Sequence, residues 1–400
     1  MKELIPLSVP FITPTANKYV QECIKSGWVS SVGTFVTDFE KKTATFAGVK
    51  HAVATTNGTA ALHLALICCG LSEGHEVIVP ALSFVATVNP IRYCRAFPVF
   101  FDVDPHNWTL DVHLVENFLS KECHFSAGRL INKSSGREIA GIVPVHLYGH
   151  PADLEFLGDL CERYGLFMVE DGAESIGSSY KGKVLGSFKE FGIISFNGNK
   201  TITTGAGGML LTNNDKLANL ARHLSTQAKV DPVSYIHDEI GYNYRMSNLS
   251  AALGLSQIEE LNKFIDKKTR IAKYYRSKLS GLVEEGMITF QRIEEWATSN
   301  YWLNCIVCSP KLSAPSTYQN SWSYLVDKLA KRGIQTRPFW YPLHLLKPFA
   351  ASQFVGTDAV ISLCNNGVCL PSSVGLTETQ QDKVIAELEI ILNSMNKSNE

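Results

Sequence analysis

The stretch Phe191-Gly-Ile-Ile-Ser-Phe-Asn-Gly-Asn-Lys-Thr-Ile-Thr-Thr-Gly-Ala-Gly-Gly-Met209 holds one lysine between two apolar runs. The first run predicts a buried strand, and the glycine-rich turn leads into a second strand. Lys200 is thus expected at the end of a buried strand, where desolvation lets an amine lose its proton and attack a carbonyl to form a Schiff base. Ser195 and Thr201 offer hydroxyls to an anion. For this stretch alone, a salt-bridged lysine stays an open alternative.

Strands alternate with helices from about residue 50 to 212, which is typical of βαβ units and a largely parallel sheet. Ligands of such sheets bind beyond the carboxyl ends of the strands. Six residues stand at or just after predicted strand ends: Asn57, Phe84, His146, Asp171, Ser195 and Lys200. We therefore expect these residues to form one site.

Two further features of this region suggest a ligand. Gly58 and Thr59 follow a short strand and begin an alanine- and leucine-rich helix, and such a turn is a ready anion site. The alternative is that Thr59 simply caps the helix. Phe84 follows the strand Glu76–Pro80 and is placed to stack on an aromatic ring, although core packing would explain it equally.

The remainder of the chain predicts a smaller part. A long amphipathic helix is expected over about residues 255–279, followed by strands and helices in mixed order. The expected strands are Gly286–Phe290, Tyr301–Cys308 and Ile334–Phe339, and the expected helices are Ser321–Arg332 and Glu378–Met395. We predict a large domain over residues 1–260 and a small α+β domain over residues 261–400.

Composition narrows the class of protein. Apolar residues make up 45% and charged residues 19%, with a net charge of −1, so nothing favours nucleic acid or an anionic membrane as a partner. No apolar run approaches the ~20 residues of a spanning helix, and prolines break the first ten residues, unlike a signal peptide. Ten scattered cysteines predict free thiols and a cytoplasmic protein. Cys305 and Cys308 would point to opposite faces of a strand, which favours core packing over a metal site, and we predict no metal.

Seven stretches, in this order, resemble the fold-type I pyridoxal 5′-phosphate (PLP) sugar aminotransferases of the DegT/DnrJ/EryC1/StrS family. The resemblance covers nearly the whole chain. It implies an α/β fold with a mostly parallel mixed sheet flanked by helices and a smaller C-terminal α+β domain. The stretches are Gly27-Trp-Val-Ser-Ser-Val-Gly33, Thr56-Asn-Gly-Thr-Ala-Ala-Leu62, Ser83-Phe-Val-Ala-Thr87, Pro144-Val-His-Leu-Tyr-Gly149, Glu170-Asp-Gly-Ala-Glu174, Ser195-Phe-Asn-Gly-Asn-Lys-Thr-Ile-Thr-Thr-Gly205 and Gly241-Tyr-Asn-Tyr-Arg-Met246.

The resemblance also implies roles for single residues. Lys200 looks like the Schiff-base lysine and proton-transfer base, Asp171 like the partner of the pyridinium nitrogen, and Glu174 like the residue near the ring's phenolic oxygen. These three are the expected catalytic residues, and all three also contact the cofactor. The other expected cofactor contacts are Gly58, Thr59 and Ser195 at the phosphate, Phe84 on the ring, and Asn243 from the neighbouring subunit. The last contact implies a homodimer with shared sites, although Asn243 and Arg245 could instead form a capped, salt-bridged loop.

Two departures from the family pattern stand out. Ala206 replaces a glutamate that is frequent in the family, and Gly172 replaces an alanine. The chemistry requires neither residue, so aminotransfer remains expected, with PLP and its amine form (PMP) as the cofactor. A PLP sugar dehydratase would usually carry histidine at position 200, and a non-catalytic regulator would be expected to lack the lysine or the acid.

The substrate prediction rests on the stretch from Gly333 to His344, which resembles the N-acetylbacillosamine and legionaminic acid branches. It implies amination at C4 of UDP-2-acetamido-2,6-dideoxy-4-ketohexose, with L-glutamate as donor, in surface glycan biosynthesis. A GDP-perosamine synthase is the near alternative. The expected substrate contacts are Ser30, Ser31, Arg245, Trp340 and His344, with core packing left open for the last two.

Overall fold

The computed structural model describes residues 4–186, 188–231, 233–312 and 314–397. The helices are α1 Pro14–Ser26, α2 Thr34–Ala47, α3 Gly58–Cys68, α4 Asn89–Tyr93, α5 Val112–Lys121, α6 Leu154–Tyr164, α7 Asp215–Ser225, α8 Asn248–Ile258, α9 Leu261–Lys278, α10 Ser280–Glu284, α11 Ser321–Ala330, α12 Ala359–Asn366 and α13 Glu378–Lys397. The strands are β1 His51–Thr55, β2 Glu76–Pro80, β3 Phe97–Phe101, β4 Cys123–Ser126, β5 Arg129–Asn132, β6 Ile139–Ile142, β7 Phe167–Asp171, β8 Ser179–Tyr180, β9 Lys183–Val184, β10 Phe191–Ser195, β11 Gly208–Thr212, β12 Lys229–Asp231, β13 Ile236–His237, β14 Ile288–Phe290, β15 Ala297–Thr298, β16 Asn304–Cys308, β17 Arg337–Pro338, β18 Phe354–Val355 and β19 Gly367–Leu370.

An eight-stranded mixed sheet forms the centre of the molecule, in the order β1-β11-β10-β7-β6-β2-β3-β18. Neighbours from β10 to β18 run parallel, while β11 runs antiparallel to both β10 and β1. The central strands β2 and β10 are buried along their whole length. Continuous apolar strands of this kind are expected where helices cover both faces. The prediction of a mostly parallel mixed sheet is confirmed.

Local signals explain where the crossover helices begin and end. The Asp153 side chain accepts the Phe156 N–H at the start of α6, and Gly165 ends that helix with φ +69°. Asn57 caps α3 in the same way, since its side chain accepts the Ala60 N–H. The alternative interpretation, in which Thr59 caps the helix, is therefore wrong. The capping residue is Asn57, which leaves the Thr59 hydroxyl for another partner.

One edge of the sheet gathers several strand ends. Since β1, β7 and β10 share one direction, their carboxyl ends lie together, and β11 starts at the same edge. Gly208 faces both Thr55 and Ser195 across the sheet. A Cβ atom at Gly208 would lie 2.4 Å from the Asn57 carbonyl oxygen. Only glycine allows these backbones to approach so closely, so this edge is built around that position.

The C-terminal part contains a four-stranded antiparallel sheet in the order β14-β16-β19-β17. Apolar side chains from α9, α11 and α13 pack against it. The N-terminal segment contacts this part where Ile5 pairs with Ile334, and β18 joins this part to the large sheet by pairing with β3. Helix α8 ends at Ile258 and α9 begins at Leu261. The domain division at residues 260 and 261 stays a prediction.

Several predicted elements differ from the structure. The single helix over residues 255–279 is wrong, because the chain leaves the helical path at Glu260 (φ −105°, ψ 2°) between α8 and α9. The strand predicted from Tyr301 begins only at Asn304, since Tyr301 has a left-handed backbone with φ +50°. The strand predicted over residues 334–339 shortens to Arg337–Pro338. In addition, β19 has no counterpart in the prediction.

The cysteines behave as predicted. All ten are free thiols. Cys305 belongs to the apolar core beneath the large sheet, whereas Cys308 packs into the core of the C-terminal part. The two therefore face opposite sides of β16, which confirms the core-packing interpretation. Within the described residues, no helix combines the length and the apolarity that a membrane crossing demands.

Lys268 is a buried cation on α9 and makes the stability of the protein depend on pH. Its ammonium donates to the carbonyl oxygens of Trp302 (2.9 Å) and Ser372 (2.8 Å), and burial lowers the pKa of Lys268 to about 7. Between that value and its ordinary pKa, the unfolded chain binds more protons than the folded chain. The free energy of unfolding should therefore rise with pH in this window.

We expect this rise to be about 2 kcal/mol smaller in Lys268→Met than in the wild type when denaturant unfolding at about pH 7.5 and about pH 9.5 is compared. Lys263→Met is the matched control, since Lys263 lies exposed on the same helix. Equal pH dependence in the wild type and Lys268→Met would show that the buried amine does not titrate in this range.

Candidate active site

A cavity of about 390 Å³ opens at the carboxyl edge of the large sheet. Ligand sites commonly have volumes of ~300–1,000 Å³. We call it the Lys200 cavity. Its lining residues are Asn57, Gly58, Thr59, Leu62, Ser83, Phe84, Ala86, Thr87, Val145, Asp171, Ala173, Glu174, Ile193, Ser195, Asn197, Asn199, Lys200, Ala206, Gly207, Trp302, Arg337 and Trp340.

The Lys200 amine lies 3.5 Å from the Glu174 carboxylate and 3.8 Å from the centre of the Trp302 ring. Burial lowers the pKa of Lys200, against the opposing effect of the Glu174 and Asp171 charges. Burial also raises the pKa of Glu174, which the Lys200 charge opposes. The Tyr148 N–H donates to the second oxygen of Glu174 at 2.8 Å and fixes it. These shifts bring the pKa values of Lys200 and Glu174 closer together, which favours proton exchange within the pair, as a base and its acid partner require.

Asp171 ends β7 and is 5% exposed. One carboxylate oxygen accepts the Thr87 hydroxyl at 2.7 Å, and the other accepts the Ala173 N–H at 3.1 Å. The Ser83 and Thr87 hydroxyls are also hydrogen-bonded to each other at 2.7 Å. A buried carboxylate held in this way suits a cationic N–H partner, because it keeps a fixed negative charge in the cavity wall.

The start of α3 provides an anion site in the same cavity. The Asn57 side chain accepts the Ala60 N–H. The backbone N–H groups of Gly58 and Thr59 have no acceptor in the described part of the chain. Ser195, at the end of β10, contributes a hydroxyl to the wall. A Cβ atom at Gly58 would come within 3.0 Å of Ser195 Cβ, so glycine keeps this corner open. Free N–H groups and a hydroxyl at a helix N-terminus fit a phosphate.

Aromatic rings form another wall. Phe84 is 50% exposed, and its ring centre lies 5.2 Å from that of Trp340. Trp302 lies 6.5 Å beyond Trp340, nearly parallel to it at 21°. The Trp302 indole N–H donates to the Asn199 carbonyl oxygen at 2.9 Å, which fixes the ring beneath Lys200. This wall can cover a flat ligand and exclude water.

The structure brings together eight of the predicted site residues in this cavity: Gly58, Thr59, Phe84, Asp171, Glu174, Ser195, Lys200 and Trp340. Three others line a separate, more open cavity of about 690 Å³, which we call the Asn243 cavity: Ser31, Asn243 and Arg245. The Arg245 guanidinium is also paired with Glu40. In one chain, these residues therefore do not line the Lys200 cavity.

The remaining predicted residues lie elsewhere. The Ser30 carbonyl accepts the Asn248 N–H at 2.6 Å and does not line either cavity. The His344 ring stacks on Phe354 at 4.0 Å, and burial lowers its pKa. His146, expected at the site, is fully buried between Glu170 (3.2 Å) and the Ala152 N–H (3.1 Å). It holds Glu170 in place behind the cavity.

Among the lining residues that were missed from sequence, three bear on the chemistry of the site. Thr87 belongs to a stretch that was singled out, but only the structure shows its bond to Asp171. Trp302 was hidden in a predicted strand that does not exist at that position. Arg337 stands in the stretch used for the substrate, where the pattern of aromatic residues drew attention to Trp340. The charge of Arg337 was the signal in that stretch that could have identified it as a site residue.

These residues fit PLP. A single cavity offers a buried amine of lowered pKa at Lys200, a fixed carboxylate at Asp171 and an anion site at Gly58 and Thr59. A carbonyl-bearing ring with a basic nitrogen and a phosphate needs these three groups. The rings of Phe84 and Trp340 supply cover for its faces.

Comparison with known proteins agrees with the site. The sequence profile of the DegT/DnrJ/EryC1/StrS aminotransferase family matches residues 10–389. EpsN of Bacillus subtilis (strain 168), described as a pyridoxal phosphate-dependent aminotransferase, is 37% identical over 392 residues, covering 97% of this chain and 96% of EpsN. GDP-perosamine synthase of Escherichia coli O157:H7 is 38% identical over 376 residues, covering 94% of this chain and 95% of that enzyme.

A solved structure gives the same result. The DegT DnrJ EryC1 StrS aminotransferase from Brucella abortus superimposes with a TM-score of 0.83 at 27% identity, covering 94% of each chain. Sequence and fold thus agree over nearly the whole length, and the cavity fits the cofactor. The chain therefore belongs to the DegT/DnrJ/EryC1/StrS aminotransferase family and is a PLP-dependent sugar aminotransferase.

Proposed function

We propose that this enzyme transfers an amino group from L-glutamate to C4 of a nucleotide-linked 4-keto-6-deoxy sugar. The observation that carries the proposal is the 3.5 Å approach of the Lys200 amine to Glu174, in the same buried cavity as Asp171. This arrangement suits the transfer of an amino group from one molecule to another, in which a proton moves at the carbon that bears the nitrogen. Lys200, Asp171 and Glu174 are the proposed catalytic residues.

When bound, PLP supplies the electron sink that makes the donor's Cα–H bond acidic. Asp171 would hold the ring nitrogen, while Gly58, Thr59 and Ser195 would hold the phosphate. The Lys200 amine, whose pKa burial lowers, is the base that accepts the Cα proton in its neutral form. Glu174 can take up that proton or return it, because burial raises its pKa.

Glu174→Gln should change the pH range in which the lysine is reactive. The Glu174 charge raises the pKa of Lys200, so its removal lets burial lower that pKa further. We expect covalent attachment of PLP, trapped by borohydride and quantified by mass spectrometry, to persist to lower pH in the variant. Glu174→Asp is the control that keeps the charge. If PLP attachment to Glu174→Gln were lost at the same pH as in the wild type, or at a higher pH, this electrostatic coupling would be contradicted.

The nucleotide is a separate part of the proposal. A relative at 38% identity is named GDP-perosamine synthase, which makes GDP-4-keto-6-deoxymannose the first substrate to test. The stretch around Trp340 favours the UDP-2-acetamido-4-keto-6-deoxy sugar, and Trp340 lines the Lys200 cavity although His344 does not. Purified enzyme with PLP and glutamate should be given both sugars in parallel, with 2-oxoglutarate and amino-sugar mass as readouts. Amination of neither sugar would refute the proposed substrate class.

We further propose a homodimer in which the Asn243 cavity of one chain faces the Lys200 cavity of the other. The chain segments that contribute to this cavity also carry exposed apolar residues: Trp28, Val29, Val32, Tyr235, Ile236 and Ile240. Asn243 would then reach the phosphate bound in the partner, and Ser31 and Arg245 its substrate.

Mixing inactive variants tests the shared site. Lys200→Ala chains and Asn243→Ala chains, each impaired alone, should regain activity when they are mixed, unfolded and refolded together. In each mixed dimer, one of the two sites then has both Lys200 and Asn243. Light scattering gives the mass. A monomer, or a dimer without recovery in the mixture, would rule out shared sites.

A further inference from the structure

We infer that Arg337 binds a carboxylate of the amino donor and thereby selects the small anion that enters the Lys200 cavity. This inference rests on the proposed function, since it concerns the donor of that reaction. It starts from a lining residue that sequence patterns did not assign to the site.

Arg337 has a fixed position beside the cavity. It begins β17, an edge strand of the smaller sheet, and pairs there with Cys369 of β19. Arg337 lines the Lys200 cavity and also a smaller side pocket of about 150 Å³. The two share four lining residues: Asn199, Trp302, Arg337 and Trp340. Arg337 thus lies between the main cavity and the side pocket.

The charge of Arg337 is unbalanced. No ion pair or hydrogen bond joins its guanidinium to any other residue that the structure describes. The arginine of the Asn243 cavity is different, because Arg245 is already bound to Glu40. Arg337 is exposed, so a ligand can reach its five N–H donors. A planar guanidinium binds a carboxylate through two parallel hydrogen bonds.

The other charges of the cavity explain why such a group is needed. Asp171 and Glu174 are buried acids that repel an incoming amino acid's carboxylate, and the Lys200 amine is already beside Glu174. Arg337 is the remaining cation among the described lining residues. One guanidinium matches one carboxylate. A diphosphate carries more charge, and the lining residues that the structure describes offer no second unpaired cation beside Arg337.

The test compares Arg337→Gln and Arg337→Lys with Arg270→Gln, a control that removes an exposed arginine from α9. Each holoenzyme is titrated with glutarate, an unreactive dicarboxylate, by calorimetry. Each is also followed through the two half-reactions separately: glutamate with the PLP form, and keto sugar with the PMP form. Alanine as a second donor distinguishes the two carboxylates of glutamate.

We expect Arg337→Gln to weaken glutarate binding and raise the glutamate KM by about 10- to 100-fold, as for the loss of a charge-assisted pair. Arg337→Lys should recover part of this loss, and Arg270→Gln should behave as the wild type. The keto-sugar half-reaction should change less than about threefold. An equal loss with alanine would place the α-carboxylate on Arg337.

Other outcomes would overturn the assignment. A loss confined to the keto-sugar half-reaction would give Arg337 to the diphosphate, and unchanged glutarate binding would remove it from carboxylate recognition. A common loss in both half-reactions together with a lower melting temperature would mean a structural role. If the wild type reacts with neither glutamate nor the sugars, the proposed function fails, yet the glutarate titration still decides for or against Arg337.

Discussion

Lys200→Ala should lower kcat for amino transfer by at least about 10⁴-fold, because one amine serves as both Schiff-base partner and proton-transfer base. The protein itself should fold, since burial of the amine disfavours its charged form and the alanine removes that cost. Borohydride treatment with PLP should leave the variant unmodified, whereas the wild type should carry a pyridoxyl group on Lys200. Peptide mass spectrometry locates the group.

Two controls make this prediction specific. Lys200→Arg keeps the positive charge but has no primary amine, so it should be as inactive as Lys200→Ala. Small primary amines such as methylamine should restore part of the activity of Lys200→Ala only, because the shorter side chain leaves room beside Glu174 and Trp302. Turnover by Lys200→Ala within tenfold of the wild type would remove Lys200 from the reaction.

Asp171→Asn should lower kcat on the order of 10³-fold while PLP still attaches to Lys200. An amide keeps the shape, since its oxygen can still accept the Ala173 N–H and its NH2 group can donate to the Thr87 hydroxyl, which then donates to Ser83. It lacks the negative charge that keeps a ring nitrogen protonated, so the electron sink weakens. Stopped-flow absorbance of the glutamate half-reaction measures the effect without any sugar.

Thr87→Val separates the charge of Asp171 from its orientation. This variant removes one hydrogen bond to the carboxylate but leaves its charge, so a loss of about tenfold is expected. If Asp171→Asn were no slower than Thr87→Val, the charge of Asp171 would not matter for the reaction, and its proposed role would be wrong.

Sequence reasoning found the edge of the sheet at which the cavity lies because strand ends repeat one chemical pattern. Asn57, Asp171 and Ser195 each follow an apolar run, and the parallel strands bring them together. The same reasoning misplaced His146, since a strand end shows position along the chain and not the direction of a side chain. Here the imidazole turns towards Glu170.

The parts that could not be predicted depend on irregular backbone and on distant segments. Tyr301 adopts a left-handed conformation that no local pattern announces, and this turn delivers Trp302 to Lys200. Arg337 reaches the cavity because β17 pairs with β19, a strand that was not predicted. Pairing between segments far apart in sequence leaves little trace in either segment alone.

The strand β18 has a consequence for how the protein is made. Phe354 and Val355 pair with Phe100 and Phe101 at the edge of the large sheet. During synthesis at ~5–20 residues per second, β3 would leave the ribosome some tens of seconds before its neighbour exists. An unpaired apolar edge invites pairing with another chain. Nascent chains of this protein are therefore candidates for chaperone binding during that interval, and expression at lower concentration should favour the folded product.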